Sequence, residues 1–228
     1  MTVLAREPWA ADLARRLWRD LPGLLGANLI FLAWCAPAAL LAMLRLPHLA
    51  LLVAPLTLGP GLAGLMAYAA RVARGEPGRL WQDGVGGTRG RFVASAAHAT
   101  VVLRAWRAGA LAFAVADHEA GWGAVTMWAG QVSVLAGLAM VEVHVFGLIA
   151  LYRQGVVPAT RNAVVLAARY PDATAALVGL GVAAGGLCWT LAGGPLVILP
   201  AALAVCAVHT TLTLVEREVS RTATPHRR

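Results

Sequence analysis

Long apolar runs without a single charge dominate this chain. The clearest extends from Leu21 to Leu44 and reads LPGLLGANLIFLAWCAPAALLAML. A helix needs about 20 mostly apolar residues to cross the roughly 30 Å of hydrocarbon in a bilayer. An uncharged stretch of this length is typical of a membrane-spanning helix, so the chain is predicted to be an integral membrane protein.

The composition agrees with this interpretation and narrows the chemistry. Hydrophobic residues make up 59% of the 228 residues and charged residues 13%, a balance that soluble domains do not show. Cys35, Cys188 and Cys206 all lie inside apolar runs, without the spacing of metal ligands or of a disulfide framework. We therefore expect no metal, no cofactor and no soluble catalytic domain.

Six segments qualify as spanning helices, which predicts an all-α, polytopic helical bundle in one membrane domain, residues 1–228. The predicted spans are residues 21–44, 48–70, 92–116, 129–151, 173–192 and 195–215. Residues 1–20 place Trp9, Leu13 and Leu17 at helical spacing among charges, which predicts an amphipathic helix lying in the interface. A cleaved signal peptide is the alternative, but the apolar run that follows is longer than a signal core.

The basic residues predict how the bundle is oriented. All nineteen are arginine, and basic residues stay on the cytoplasmic side of short loops. With the N-terminus inside, six crossings leave only Arg45 on the outer side and Arg104 and Arg107 within the third span. We expect a bacterial inner-membrane protein with both termini cytoplasmic. Anionic lipid at that face explains the arginines, so nucleic-acid binding is not expected.

Four polar residues inside predicted spans are costly in lipid and form a candidate intramembrane cluster. Arg107 and Glu142 each lie about 15 Å from a membrane face, at about 1.5 Å per residue, and Gln131 shares the helix face of Glu142. We predict that Glu142 pairs with Arg107 or Arg104. The pair would fix helix registry or form a transport site; otherwise the third segment is interfacial as far as Arg107.

Two further patterns concern helix geometry. Pro55, Thr57, Gly59 and Pro60 sit together in the second span, where prolines remove backbone donors, so a kinked or broken-helix turn is predicted. Such a turn lines a substrate site in some transporters and is tolerated for structural reasons in other proteins. Gly181 and Gly185 form a G-x-x-x-G pattern, which predicts helix packing within the chain or dimerisation.

Three stretches resemble the YesL-like family of bacterial integral membrane proteins. They are PLTLGPGLAGLMAYAARVARGEPG (residues 55–78), ANLIFLAWCAP (27–37) and ATRNAVVLAARYPDATAALV (159–178). The chain departs from the family pattern in the longer stretch between Pro37 and Pro55. The resemblance implies a membrane protein without assigned catalytic residues, accessory to carbohydrate uptake.

We therefore expect a non-enzymatic membrane protein associated with solute uptake, in contact with importer subunits through its arginine-rich cytoplasmic face. A small transporter with a polar site at mid-membrane is the alternative, and an intramembrane enzyme is a third possibility. The sequence contains no H-E-x-x-H, G-x-S-x-G or paired-aspartate pattern that would supply catalytic residues.

Overall fold

The computed structural model describes residues 9–80, 82–83, 95–105, 107–108, 122–191 and 198–223, and within them the regular secondary structure is helical. The helices are α1 (Trp9–Arg19), α2 (Leu21–Met43), α3 (Pro47–Ala73), α4 (residues 95–105 and 107–108), α5 (Trp122–Tyr152), α6 (Val156–Arg169), α7 (Pro171–Thr190) and α8 (Leu199–Ala223).

Four helices are long and apolar enough to cross a membrane. They are Leu21–Met43, His48–Ala73, Pro171–Cys188 and Leu199–Arg221, with Ala136–Tyr152 as a shorter apolar helix. The helical membrane bundle is therefore confirmed, but the described residues provide four such spans and not six. Parts of the predicted third span (92–116) and of the fifth and sixth lie outside those residues.

The outer surface of the bundle is more apolar than that of a soluble protein. Large apolar side chains are exposed on α2, α3 and α7, where Met43, Leu52 and Val182 keep 70% or more of their surface. The buried residues are mainly apolar as well, and several polar residues are buried among them: Asn28, Thr57, Ser95, His98, His144, Thr174 and Thr211. In lipid an exposed leucine costs nothing, whereas a polar group must find its partner inside the protein.

The N-terminal helices pack closely because glycines let them approach one another. A Cβ on Gly61 of α3 would lie 2.7 Å from Cβ of Trp34 on α2. A Cβ on Gly23 of α2 would overlap the hydroxyl of Tyr68, which is buried in the main core of α3, α5 and α8. Gly61 and Gly23 therefore serve helix packing within the chain.

Arginine side chains bond at the ends of α3, α5 and α6, and these helix ends define one end of the bundle. Nη1 of Arg16 on α1 donates to the carbonyl of Ala73, the last residue of α3, over 2.7 Å. Nη2 of Arg74 donates to the carbonyl of Leu151 near the end of α5, over 2.9 Å. Arg169 at the end of α6 pairs with Glu218 of α8. We call this end of the bundle the arginine end.

Helices α5 and α8 run parallel toward the arginine end in a constant register. His144 bonds Thr211, sixty-seven residues later, and the same offset relates Leu148 to Val215 and Tyr152 to Val219 along one cavity. Gly147 makes this possible, because its Cβ would lie 3.2 Å from the Thr211 hydroxyl oxygen. The two helices carry the polar residues described next.

Candidate intramembrane polar sites

The prolines of the second span do not break it. Helix α3 continues from Pro47 to Ala73 through both Pro55 and Pro60, so the helix is not broken there, and the kinked form of the turn stays a prediction. The hydroxyl of Thr57 donates to the carbonyls of Val53 and Ala54, each over 3.3 Å, inside the same turn. These are not the carbonyls four residues before each proline, which lose their donors, so the bonds satisfy the buried threonine hydroxyl within its own helix.

At this turn α3 packs closely against α4. A Cβ on Gly59 would lie 2.5 Å from the backbone oxygen of Ser95 and 3.1 Å from the nitrogen of Ala96. Pro60 and Ser95 are buried on either side of the contact. Only a glycine permits two helix backbones to meet this closely, so the segment is a helix crossing.

The crossing directs one turn of α4 onto α5 and forms a buried acid–imidazole pair. Nε2 of His98 lies 2.7 Å from Oε2 of Glu142. The imidazole is 4% exposed and packs edge-on against Phe146, with 5.3 Å between the ring centroids. An ionised carboxylate can only accept, so His98 donates through Nε2. Glu142 keeps 17% of its side-chain surface, a narrow access from outside.

The structure therefore gives Glu142 a histidine partner in place of the predicted arginine. Arg104 and Arg107 follow His98 by six and nine residues, about 240° and 180° around the helix at about 100° per residue. Both arginines are exposed. They lie on the side of α4 that faces away from α5. The side chain of Gln131, the fourth residue of the predicted cluster, lies outside the part of the chain that the structure describes.

A second polar site joins three helices through His144. Its Nδ1 lies 2.9 Å from the hydroxyl oxygen of Thr211 on α8, and its Nε2 lies 2.9 Å from that of Thr174 on α7. The side chain is completely buried. His144 follows Glu142 by two residues, about 200° around α5, so the two side chains meet different neighbours.

The hydroxyl and imidazole protons of this second site all have acceptors within the bundle. The hydroxyls of Thr174 and Thr211 donate to the carbonyls of Tyr170 and Ala207, each four residues earlier in its own helix. A hydroxyl has one proton, and a neutral imidazole has one N–H. A neutral His144 is therefore satisfied when one threonine turns its proton from the carbonyl to the ring. The hydrogen bonds of the neutral ring are therefore complete without moving a helix.

Gly181 and Gly185 do not mediate packing within the described structure. A Cβ at either position would meet no atom within 4 Å there, and the same holds for Gly179 and Gly186. The intramolecular half of the prediction is therefore not observed. The dimerisation half stays a prediction.

The two sites differ in what they can do chemically. The His98–Glu142 pair offers a protonatable carboxylate and base with some access, whereas the His144 site is closed and saturated. Within the described ranges no three His, Cys, Asp or Glu side chains come together as a metal site. The sequence analysis did not select His98. The available signal was a histidine six and nine residues before the two arginines of the predicted third span.

Comparison with known proteins identifies no relative. No protein-family model, no curated protein and no solved structure matches the chain significantly. The functional argument therefore rests on the residues and their geometry.

Proposed function

We propose that the chain is an inner-membrane protein with six crossings and both termini in the cytoplasm, a single membrane domain with α1 in the interface. Four apolar helices support this, with α4 and α5 supplying the remaining crossings. The ties from Arg16 and Arg74 gather arginine-bearing segments at the arginine end, as the positive-inside rule requires of a cytoplasmic face.

Its proposed role is that of a non-enzymatic accessory component associated with solute uptake, the solute being a carbohydrate as the YesL-like resemblance implies. The observation that carries this role is the outer face of α6. Ala159, Ala163 and Leu166 bury one side of the helix against the bundle, whereas Val157 and Val164 are 79% and 48% exposed on the other. An apolar strip beside arginines suits a partner subunit at the membrane surface.

The test is association with the membrane subunits of a carbohydrate importer, measured by purification in mild detergent. The double variant Val157→Asn, Val164→Asn should lose the complex while retaining its own folded yield. The matched control is Val165→Asn, an exposed valine about 100° around α6 from Val164, which should keep it. A wild-type protein that purifies without any importer subunit would contradict the accessory role.

A small transporter is the second candidate, and the buried His98–Glu142 pair favours it. Ionisable residues within a membrane bundle often mark a pathway for ions or solutes. Solute flux into liposomes that contain only this protein would support transport. Abolition of that flux by Glu142→Gln, with Arg107→Gln as the matched control, would assign it to the pair. Absence of flux for a panel of sugars would favour the accessory role.

A further inference from the structure

A groove opens at the arginine end between α5, α6 and α8. It encloses about 200 Å³. Its walls are mainly aliphatic and come from Leu148, Val165, Leu166, Val215 and Val219. Val165 and Val219 keep 43% and 59% of their surface there. The groove therefore presents an apolar trough at the level where α5 ends.

The rim of the groove is polar and carries net positive charge. Gln154 and Asn162 are hydrogen-bonded to each other across 3.1 Å at the rim. Arg153 stands between two lining residues in the chain, Arg161 precedes Asn162, and both are exposed. The carboxylate that lines the groove, Glu218, already accepts bonds from Arg169 and from the hydroxyl of Tyr170.

Arg153 is in an uncommon conformation that keeps an arginine at the rim. Its φ is 52°, in the left-handed region that favours glycine. Gly75 holds φ 77° at the end of α3, so the chain uses glycine for such an ending elsewhere. An arginine in the left-handed region costs about 1 kcal/mol more than a glycine. In exchange it provides a guanidinium at the rim, which a glycine would not.

We propose that this groove binds an anionic phospholipid, with an acyl chain along the aliphatic walls and the phosphate between Arg153 and Arg161. Arginine recognises phosphate oxygens through paired N–H donors, and basic pockets between helices at the cytoplasmic side bind anionic headgroups. The proposal rests on the orientation given above, because it requires the arginine end to lie among headgroups. It does not depend on the accessory role.

The experiment counts bound lipid by native mass spectrometry of the full-length protein. Delipidated protein is exchanged into mixed micelles with equal amounts of phosphatidylglycerol and phosphatidylcholine. The wild type should retain one phosphatidylglycerol. The double variant Arg153→Gln, Arg161→Gln should bind it about thirtyfold more weakly, because two arginine–phosphate contacts are lost.

Two matched controls separate the groove from the surrounding surface. Val165→Trp fills the trough and should abolish retention, whereas Val164→Trp, about 100° away on α6 and outside the lining of the groove, should preserve it. Arg45→Gln removes an exposed arginine with φ 58° from the other end of the bundle and should change nothing. These four variants should all fold, since each altered side chain is exposed.

Three results would overturn the proposal. Equal retention of phosphatidylcholine and phosphatidylglycerol would show that the arginines do not select the headgroup. Undiminished retention in Val165→Trp would show that the lipid lies elsewhere. A co-purifying protein that is displaced by Val165→Trp, with no lipid retained, would assign the groove to a polypeptide. Loss of importer association in the Val157, Val164 variant with lipid retained would contradict only the accessory role.

Discussion

Gly59 illustrates how one missing side chain positions a polar site. The backbone of Ser95 lies where a Cβ on Gly59 would be, and one helical turn beyond Ser95 the His98 ring reaches Glu142. The acid–imidazole pair thus depends on the close approach of α3 and α4. A larger residue at position 59 would shift α4 and so disturb the pair without contacting it.

Gly59→Ala should therefore destabilise the protein by about 1–3 kcal/mol, the usual cost of overpacking. The matched control is Gly181→Ala on α7, whose Cβ would meet no described atom within 4 Å. That variant should be neutral or slightly stabilised, since alanine favours helix over glycine. Thermal unfolding followed by fluorescence-detected size exclusion measures both. Equal stability of the two variants would contradict the crossing.

The His98–Glu142 pair makes an energetic prediction of its own. His98→Asn and Glu142→Gln should each lower stability, and the double variant should lose less than their sum, with a coupling energy of about 1–3 kcal/mol. Breaking a buried pair leaves the remaining partner without compensation, which is why the single losses are large. Reversible unfolding in detergent supplies the free energies.

The control cycle combines Glu142→Gln with Arg107→Gln. Arg107 is exposed, on the side of α4 opposite His98, so these two effects should add. Coupling of Glu142 to Arg107 with none to His98 would restore the arginine pair that the residue spacing predicts.

At the scale of helices, the sequence predicts existence and extent better than rotation. The predicted spans 21–44, 48–70 and 173–192 differ by only a few residues from α2, α3 and α7, because hydrophobic length is set by the bilayer. The face of α4 that meets α5 depends on the contact at Gly59. The spacing of residues along one helix carries no information about such a contact. The spacing of Pro55 and Pro60 likewise does not show that α3 continues through both of them.

Helix α1 is joined to the bundle by both apolar and polar contacts. Leu13 is buried in the main core and Leu17 packs against it, whereas Trp18 is 78% exposed. Arg16 bonds the last carbonyl of α3, where a cation also interacts favourably with the helix dipole. The predicted helix is thus observed as α1, in contact with the end of α3, and its location in the interface stays a prediction.

Arg16→Gln should loosen α1 and the last turn of α3 together. A charged hydrogen bond to a partly buried carbonyl contributes about 1.5–3 kcal/mol, so amide exchange in residues 9–19 and 70–73 should accelerate. Hydrogen–deuterium exchange with mass spectrometry measures it. The matched control is Arg15→Gln, whose Nε bonds Ala11 within α1 over 3.4 Å and is exposed. Acceleration by both variants to the same degree would contradict the tie.

At the scale of the whole molecule, the apolar outer surface and the arginine end are two aspects of one arrangement in lipid. Apolar side chains on α2, α3 and α7 face outward, and polar ones pair inside. Arg45 lies at the α2–α3 turn, one helix length away from Arg74 at the arginine end. The orientation that the arginines predict can therefore be tested at these two ends of the bundle.

The absence of lysine provides a clean background for that test. Arg45→Lys and Arg79→Lys, made separately, each introduce a single amine-reactive side chain. A membrane-impermeant amine reagent applied to intact spheroplasts should label the first variant at that side chain and not the second. After permeabilisation both should react, which serves as the control. Labelling of Arg79→Lys in intact cells would reverse the proposed topology.

The bond between Arg16 and Ala73 also constrains how the protein is made. The two residues are fifty-seven positions apart, and the link from Arg74 to Leu151 spans seventy-seven more. During synthesis α1 emerges before α2 and α3, and its acceptor exists only after those two helices have entered the membrane. Until then the first helix has only its own apolar stripe to hold it at the bilayer surface. Its affinity for lipid is therefore needed earlier than its place in the finished bundle.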